Sequence, residues 1–392
     1  MAEALRPGDP RELGPYVLLA RLGEGPTGAD FLARRAEGGP PVAVKLLHAR
    51  LTLDQRTRQD VITALQPAAD IGPYCTARLL DAGIVQEQVC LVSEYVDGPS
   101  LATAVDGAGP LPEDAVARLT LGTAAALAAV HRAGIAHLDV KPGNVLLGPV
   151  GPRLSDAGIV HALAGGNPAT VGLAIQSTAY LAPEQTGRVD EPLGREADLF
   201  SWAATMAYAA TGRAPFGADA PPNVLMSMIA DGDPDVGGIP DALRRLLLDC
   251  LRKRPAERPT AEQVLLRLLG RDETEPVTPE LLALATARAE GRADPASTPA
   301  PEPTRAADPA PPHDPTPPHD LTPAAEPAPP PPPGGDAPTP DTAATAPAPP
   351  AEETPPWVAP PAVLATQATD PGGPAALGED APPPRFPDDD LV

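Results

Sequence analysis

Positive charge, cysteine and long apolar runs are all scarce in this chain, and each scarcity removes a class of function. Only 29 lysines and arginines stand against 52 acidic residues, a net charge of −23 over 392 residues. So acidic a chain is repelled by nucleic acid and by anionic membrane, which fall away as main partners. The three cysteines, Cys75, Cys90 and Cys250, are odd in number and lack metal-ligand spacing. They suit reduced thiols in a cytoplasm. The N-terminus carries no basic stretch followed by an apolar one, so no secretory signal is read there. The two most apolar stretches, residues 121–130 and 199–210, have the length of a buried core helix and fall short of the roughly 18 residues of a membrane span. The expectation is a soluble, cytoplasmic protein without a membrane span.

Proline is abundant but unevenly placed: 32 of the 58 prolines lie after residue 290. Residues 291–392 hold 16 acidic and 3 basic residues, few aromatics and no apolar periodicity. Such a segment cannot offset the entropy of ordering and is expected to be disordered. It contains a Pro329–Pro333 run, a doubled Pro-Pro-His-Asp and five Thr-Pro pairs, features of polyproline II segments and linkers. Proline-reading domains are the partners such a tail would recruit.

Residues 1–290 are long enough to bury a large core. Residues 1–14 form a polar lead-in. Strand patterns follow at 16–22, 31–34 and 42–47, separated by a glycine loop and a Gly-Gly-Pro-Pro turn. A helix is expected over 51–69 and further strands over 77–82 and 88–95, giving a five-stranded lobe with one helix. After Asp97-Gly98 the pattern turns helical. Pro112-Glu113-Asp114 opens a helix to residue 132, and more helices are predicted over 195–212, 222–231, 240–252, 260–269 and 279–290. Thr260 with Gln263 three residues on has the form of a capping box.

Three motifs carry chemistry. His137-Leu138-Asp139-Val140-Lys141-Pro142-Gly143-Asn144 and, twelve residues after Asn144, Asp156-Ala157-Gly158 put two carboxylates, an ammonium and a carboxamide on two short loops, at the spacing phosphoryl transfer from ATP requires. Gly23-Glu24-Gly25-Pro26-Thr27-Gly28 is weaker alone, since Gly-x-Gly-x-x-Gly also opens dinucleotide sites. That alternative needs a helix at the loop, and here a strand follows. In Val42-Ala43-Val44-Lys45, alternation puts Ala43 and Lys45 on one face, where the small alanine leaves room for a flat base.

With Ala182-Pro183-Glu184 and Arg258-Pro259-Thr260, these motifs resemble the eukaryotic-type Ser/Thr protein kinases in a bacterial, actinomycete-like form, over residues 15–270. The resemblance implies an α+β, two-lobed kinase-like fold, with a small β-rich lobe over 15–96 and a larger α-rich lobe over 97–270. It implies Mg·ATP as cofactor and protein Ser/Thr hydroxyls as substrate. Asp139 would be the general base, Lys141 would neutralise charge on the transferring phosphoryl group, and Asn144 and Asp156 would ligate magnesium. The nucleotide cleft would be bounded by Leu22, Gly23, Gly25, Gly28, Ala43, Lys45, Asp60, Glu94, Val96 and Leu146. Asp60 would stand in for the helix glutamate that pairs with Lys45. Glu184 would pair with Arg258, and Asp198 would anchor the catalytic loop.

Four positions depart from the family pattern. Asp30 replaces a valine over the adenine, where an unpaired carboxylate costs several kcal/mol; a one-residue shift of the strand would instead turn it outward. Leu138 replaces the arginine that reads a phosphate on the loop carrying Thr170, Ser177 and Thr178. Ala157 replaces a phenylalanine and implies a looser metal loop. Gln176-Ser177-Thr178 replaces Gly-Thr-Pro. Small Ser93, before the hinge, would open the rear of the cleft. These changes leave a second reading, a pseudokinase that regulates a partner, and a third in which the tail is a scaffold.

Overall fold

The structure, a computed structural model, describes residues 2–52, 54–166, 178–186 and 193–292. The expectations for Thr170, Gln176, Ser177 and the proline-rich tail lie outside the described residues, as does the side chain of Thr178.

Six antiparallel strands make the small lobe: β1 (Glu12–Leu13), β2 (Tyr16–Glu24), β3 (Gly28–Arg35), β4 (Val42–Leu47), β5 (Leu79–Val85) and β6 (Gln88–Glu94), in the order β1-β2-β3-β4-β6-β5. The strand beyond the five expected comes from the lead-in, which is tied to β2. Glu3 and Arg21 exchange both backbone hydrogen bonds at 2.8 Å, and the Arg21 side chain is buried in ion pairs with Asp9 and Glu24. Strand alternation gives the sheet two faces. Phe31, Ala33, Val42 and Val44 pack into one small apolar cluster. Leu47 and Leu91 join the main core instead, and Ala43 and Lys45 reach the cleft.

The helix expected over 51–69 is divided into α1 (Gln55–Ala64), capped by Asp54, whose carboxylate accepts from the Thr57 amide at 2.8 Å, and the single turn α2 (Gln66–Ala69). Pro67 has no amide hydrogen to continue the ladder and opens the second piece. Helix α1 buries Arg58, Val61 and Ile62, a stripe of period near 3.6, and leaves Asp60 exposed.

The larger lobe contains α3 (Leu101–Ala108), α4 (Glu113–Arg132), the hairpin β7 (Val145–Gly148) and β8 (Gly151–Leu154), then α5 (Ile159–Gly166), α6 (Glu196–Thr211), α7 (Pro222–Asp231), α8 (Asp241–Cys250), α9 (Ala261–Leu269) and α10 (Pro279–Ala289). The two long helices, α4 and α6, are buried along most of their length and rich in alanine. Their small side chains let backbones approach. The Trp202 indole fills the space between them and donates to Thr123 Oγ1 at 2.8 Å. A Cβ on Gly122 would lie 3.0 Å from Ala289 Cβ and 2.7 Å from Pro152, so glycine is what allows α10 and β8 to close on α4. The core therefore runs on through α10, with Arg153 pairing to Glu290 at 2.5 Å.

One ion pair joins the described segment 178–186 to the end of the lobe. Arg258 and Glu184 meet through two bonds of 2.6 and 2.9 Å, at 0% and 1% side-chain exposure. The remaining guanidinium hydrogens go to the carbonyls of Arg252, Lys253 and Glu196. All five donors of a fully buried cation are thus spoken for. We expect Glu184→Ala to strand that charge and destabilise the fold by about 3–5 kcal/mol, read as a lower urea midpoint at unchanged slope. A smaller loss in Glu184→Gln would separate charge from hydrogen bonding.

Candidate active site

The loop after α4 is built around a carboxylate from another helix. Asp198, in the first turn of α6 and wholly buried, accepts from the amides of His137 at 2.7 Å and Leu138 at 2.6 Å and from His131 Nε2 at 2.8 Å. Burial opposes its charge, but the His131 bond and the neighbouring imidazoles and amides hold the Asp198 carboxyl below its ordinary value. Leu138 lies in the left-handed region at φ 62°, a conformation that costs a bulky residue about 1–3 kcal/mol. Bonds on both sides hold it there: its amide to Asp198 and its carbonyl, which accepts from Gln185 Nε2 at 2.9 Å. His137 adds a further brace. Its Nε2 meets the Ser155 carbonyl at 2.8 Å and its Nδ1 meets the Asp139 amide at 3.3 Å. A carbonyl only accepts and an amide only donates, so the ring proton sits on Nε2.

Asp139 emerges from this frame with its carboxylate in the cleft. Lys141 Nζ donates to Asp139 Oδ2 at 2.6 Å, and Asn144 Nδ2 donates to the same oxygen at 2.9 Å and to the Asp139 carbonyl at 2.8 Å. Burial pushes the Asp139 carboxyl up, against the pull of Lys141. Asn144 spends its nitrogen on Asp139, which leaves its amide oxygen as a hard ligand.

Across the cleft, Asp156 also has a left-handed backbone, φ 63°. Lys45 Nζ donates to Asp30 Oδ2 at 2.8 Å and lies 3.3 Å from Asp156 Oδ2. Burial acts against the Lys45 charge, yet these two carboxylates keep its pKa above the usual lysine value. Leu22, Gly23, Gly25, Ala43, Lys45, Glu94, Val96, Asp139, Lys141, Asn144, Leu146 and Asp156 all line one cleft of about 890 Å³, as does Ser93. The hinge end is fixed by Arg78, which donates to Glu94 at 2.8 Å.

Two residues expected here are elsewhere. Asp60 is not the partner of Lys45: it projects from the exposed face of α1 toward Arg56, 3.8 Å away. The buried stripe of α1 packs on α5 and the core, and the cleft wall on this side comes from the residues after it, Leu65, Ala68 and Ile71. Gly28 is also off the cleft lining. It pairs with Leu47, and a Cβ there would stand 2.2 Å from the Leu46 carbonyl oxygen, so it is glycine for strand packing. Neither reading of Asp30 holds either: it faces inward and it is paired. What the expectation lacked was the strand register, in which Asp30 is directly opposite Lys45. Gln185 and His131 were not singled out; Gln185 follows Glu184 directly, and His131 falls in the last turn of α4, positions that carry no motif.

The protein kinase domain family matches residues 16–267. The chain belongs to the protein kinase family. It is 37% identical over 268 residues to the probable serine/threonine-protein kinase PkwA of Thermomonospora curvata, covering 68% of this chain and 36% of that one. Against the serine/threonine-protein kinase AfsK of Streptomyces griseus it is 35% identical over 316 residues, covering 78% and 39%. The chain thus spans under two fifths of the length of these curated relatives. The crystal structure of the Mycobacterium tuberculosis PknI kinase domain, C20A mutant, shares the fold with a TM-score of 0.53 at 22% identity, over 68% of this chain and 98% of that one. The family uses ATP with a divalent metal and acts on protein substrates. Among the described residues no helix is long and apolar enough to cross a membrane.

Within this family frame, the Leu138 position is occupied by a buried side chain, and the loop is held by Asp198 and Gln185. Ala157 is half-buried against the core, beside a wall that includes Leu65 and Ile159. Asp198 also sets a pH dependence. Because its native pKa is depressed, its stabilisation is present above the unfolded carboxylate value of about 3.9 and is lost as pH falls through the lower native value. Urea midpoints measured from pH 7 down to 2 should therefore show a shallower acid limb, and a lower plateau, in Asp198→Asn. An acid limb of unchanged depth would contradict this role.

Proposed function

We propose that this chain is a Ser/Thr protein kinase that transfers the γ-phosphoryl group of Mg·ATP to protein hydroxyls. The observation that carries the reading is the convergence of Asp139, Lys141, Asn144, Asp156 and Lys45 on one cleft. Asp139, oriented by Lys141 and Asn144, would receive the proton of the substrate hydroxyl as that oxygen attacks the γ-phosphorus and the bond to the bridging oxygen of the departing ADP breaks. Lys141 then faces the charge that builds on the transferring group. Lys45 holds the phosphates from the sheet side, while Leu22, Ala43, Val96 and Leu146 supply apolar walls for the base near the Glu94 hinge.

Asp156 and the Asn144 amide oxygen would hold the magnesium ion, which when bound neutralises phosphate charge. Two hard oxygen donors fit that ion, because magnesium usually takes one or two carboxylates and completes its shell from phosphates and water. The three buried free cysteines suit a reducing cytoplasm, where ATP is found.

The test is ³²P transfer with magnesium to a generic basic protein and to the chain itself. Asp139→Asn should lower turnover by about 10²–10⁴-fold; equal incorporation by wild type and variant would remove the proposal. The proline-rich segment after Arg292 we assign, on composition, as a ligand for proline-reading domains. Deletion of residues 293–392 should abolish capture by such domains and leave phosphotransfer intact; undiminished capture would refute the assignment.

A further inference from the structure

A buried ammonium needs a fixed counter-ion, and in this cleft the helix does not supply one. The side of the cleft nearest α1 and α2 is apolar, formed by Leu65, Ala68 and Ile71, and Asp60 points to solvent. The carboxylate comes from the sheet. Asp30 is directly opposite Lys45 in the β3–β4 register and directly opposite Gly23 of the glycine loop in the β2–β3 register. Directly paired residues in an antiparallel sheet share a face, so the register alone delivers Asp30 Oδ2 to Lys45 Nζ, at 2.8 Å.

We infer that Asp30 is the positioning residue of Lys45, a strand-borne counter-ion that replaces the helix carboxylate. The inference rests on the kinase reading of the cleft. Two consequences follow from the geometry. Lys45 touches two carboxylates, so when Asp156 is drawn to a divalent cation the lysine keeps Asp30 and its place. Backbone hydrogen bonds of β3 and β4 also fix the pair, so a displacement of α1 leaves it intact. The small lobe thereby separates nucleotide positioning from helix position, and Asp30 links the glycine loop to the phosphate-holding lysine through a single strand.

The test uses the full chain with Asp30→Val, Asp30→Asn, Asp30→Glu and, as a comparison on the exposed helix face, Asp60→Ala. Three measurements are made: the unfolding midpoint without ligand, the affinity for a fluorescent ATP analogue in EDTA and in magnesium, and kcat and KM for ATP. Losing a hydrogen bond to a charged group leads us to expect about 10- to 100-fold weaker analogue binding in EDTA for Asp30→Val and Asp30→Asn. Their kcat/KM for ATP should fall by a similar factor. The ligand-free midpoint of Asp30→Asn should stay close to wild type, which separates positioning from folding. Asp30→Glu should recover part of the affinity, and Asp60→Ala should match wild type.

Wild-type or tighter analogue binding by both Asp30→Val and Asp30→Asn, or an equal loss in Asp60→Ala, would overturn the inference and leave the kinase reading standing. A wild-type chain that binds the analogue without transferring phosphate would sink the kinase reading, and the affinity measurements alone would then decide the role of Asp30. A wild-type chain that binds no nucleotide would overturn both.

Discussion

The loop that carries Asp139 hangs from the Asp198 carboxylate. That carboxylate is completely buried and, among the described residues, accepts three hydrogen bonds, two of them from the consecutive amides of His137 and Leu138. An ionised group taken so far from water is tolerated only when its lone pairs are filled in this way. The same bonds pin the backbone at the point where it must turn into the left-handed region. The strain at Leu138 is therefore held by a helix that packs along the middle of the core, and Asp139 inherits its orientation from that helix. A loop secured so deeply does not depend on a charged side chain at position 138, which is why a buried leucine can stand there.

The cleft itself is defined by a charge imbalance. Asp30, Asp139 and Asp156 bring three carboxylates, against two ammonium groups from Lys45 and Lys141. Burial already pushes Asp30 and Asp139 upward, and Asp156 adds repulsion to both. A divalent cation near Asp156 and Asn144 would relieve that repulsion, whereas a bare polyphosphate would aggravate it. Under the proposed function, such a site would favour nucleotide that arrives together with its metal, and the imbalance follows from the side chains present without appeal to the family.

Much of the fold was legible because its signals are local. Helices α4, α6, α7, α8, α9 and α10 announce themselves through apolar runs, acidic or proline-bearing first turns, and the Thr260–Gln263 capping box, whose two bonds are present in the structure. The two loops that bring Asp139, Lys141, Asn144 and Asp156 to one cleft were legible from four polar residues at fixed spacing. What escaped was short or set by pairing. Helices α3 and α5 span eight residues each, and the strands of the β7–β8 hairpin four, too short for periodicity to speak. Gly28 looked like a phosphate-loop glycine because the motif treats its three glycines alike, whereas only a backbone neighbour, the Leu46 carbonyl, distinguishes it.

Asp30 shows where the information lay. Strands β3 and β4 flank the Gly-Gly-Pro-Pro turn, and counting outward from the Ala33–Val42 pair reaches Asp30 opposite Lys45. Starting β3 at residue 31 stops the count one position short, so a paired residue reads as an isolated carboxylate in an apolar roof. A helix partner is then expected instead, and Asp60, the acid within α1, lies off the buried stripe set by Val61 and Ile62. Once the sheet provides the counter-ion, α1 is free of any charged duty toward the cleft. Its inner face, with Arg58 donating to the Thr52 carbonyl, packs Val61 and Ile62 against the core.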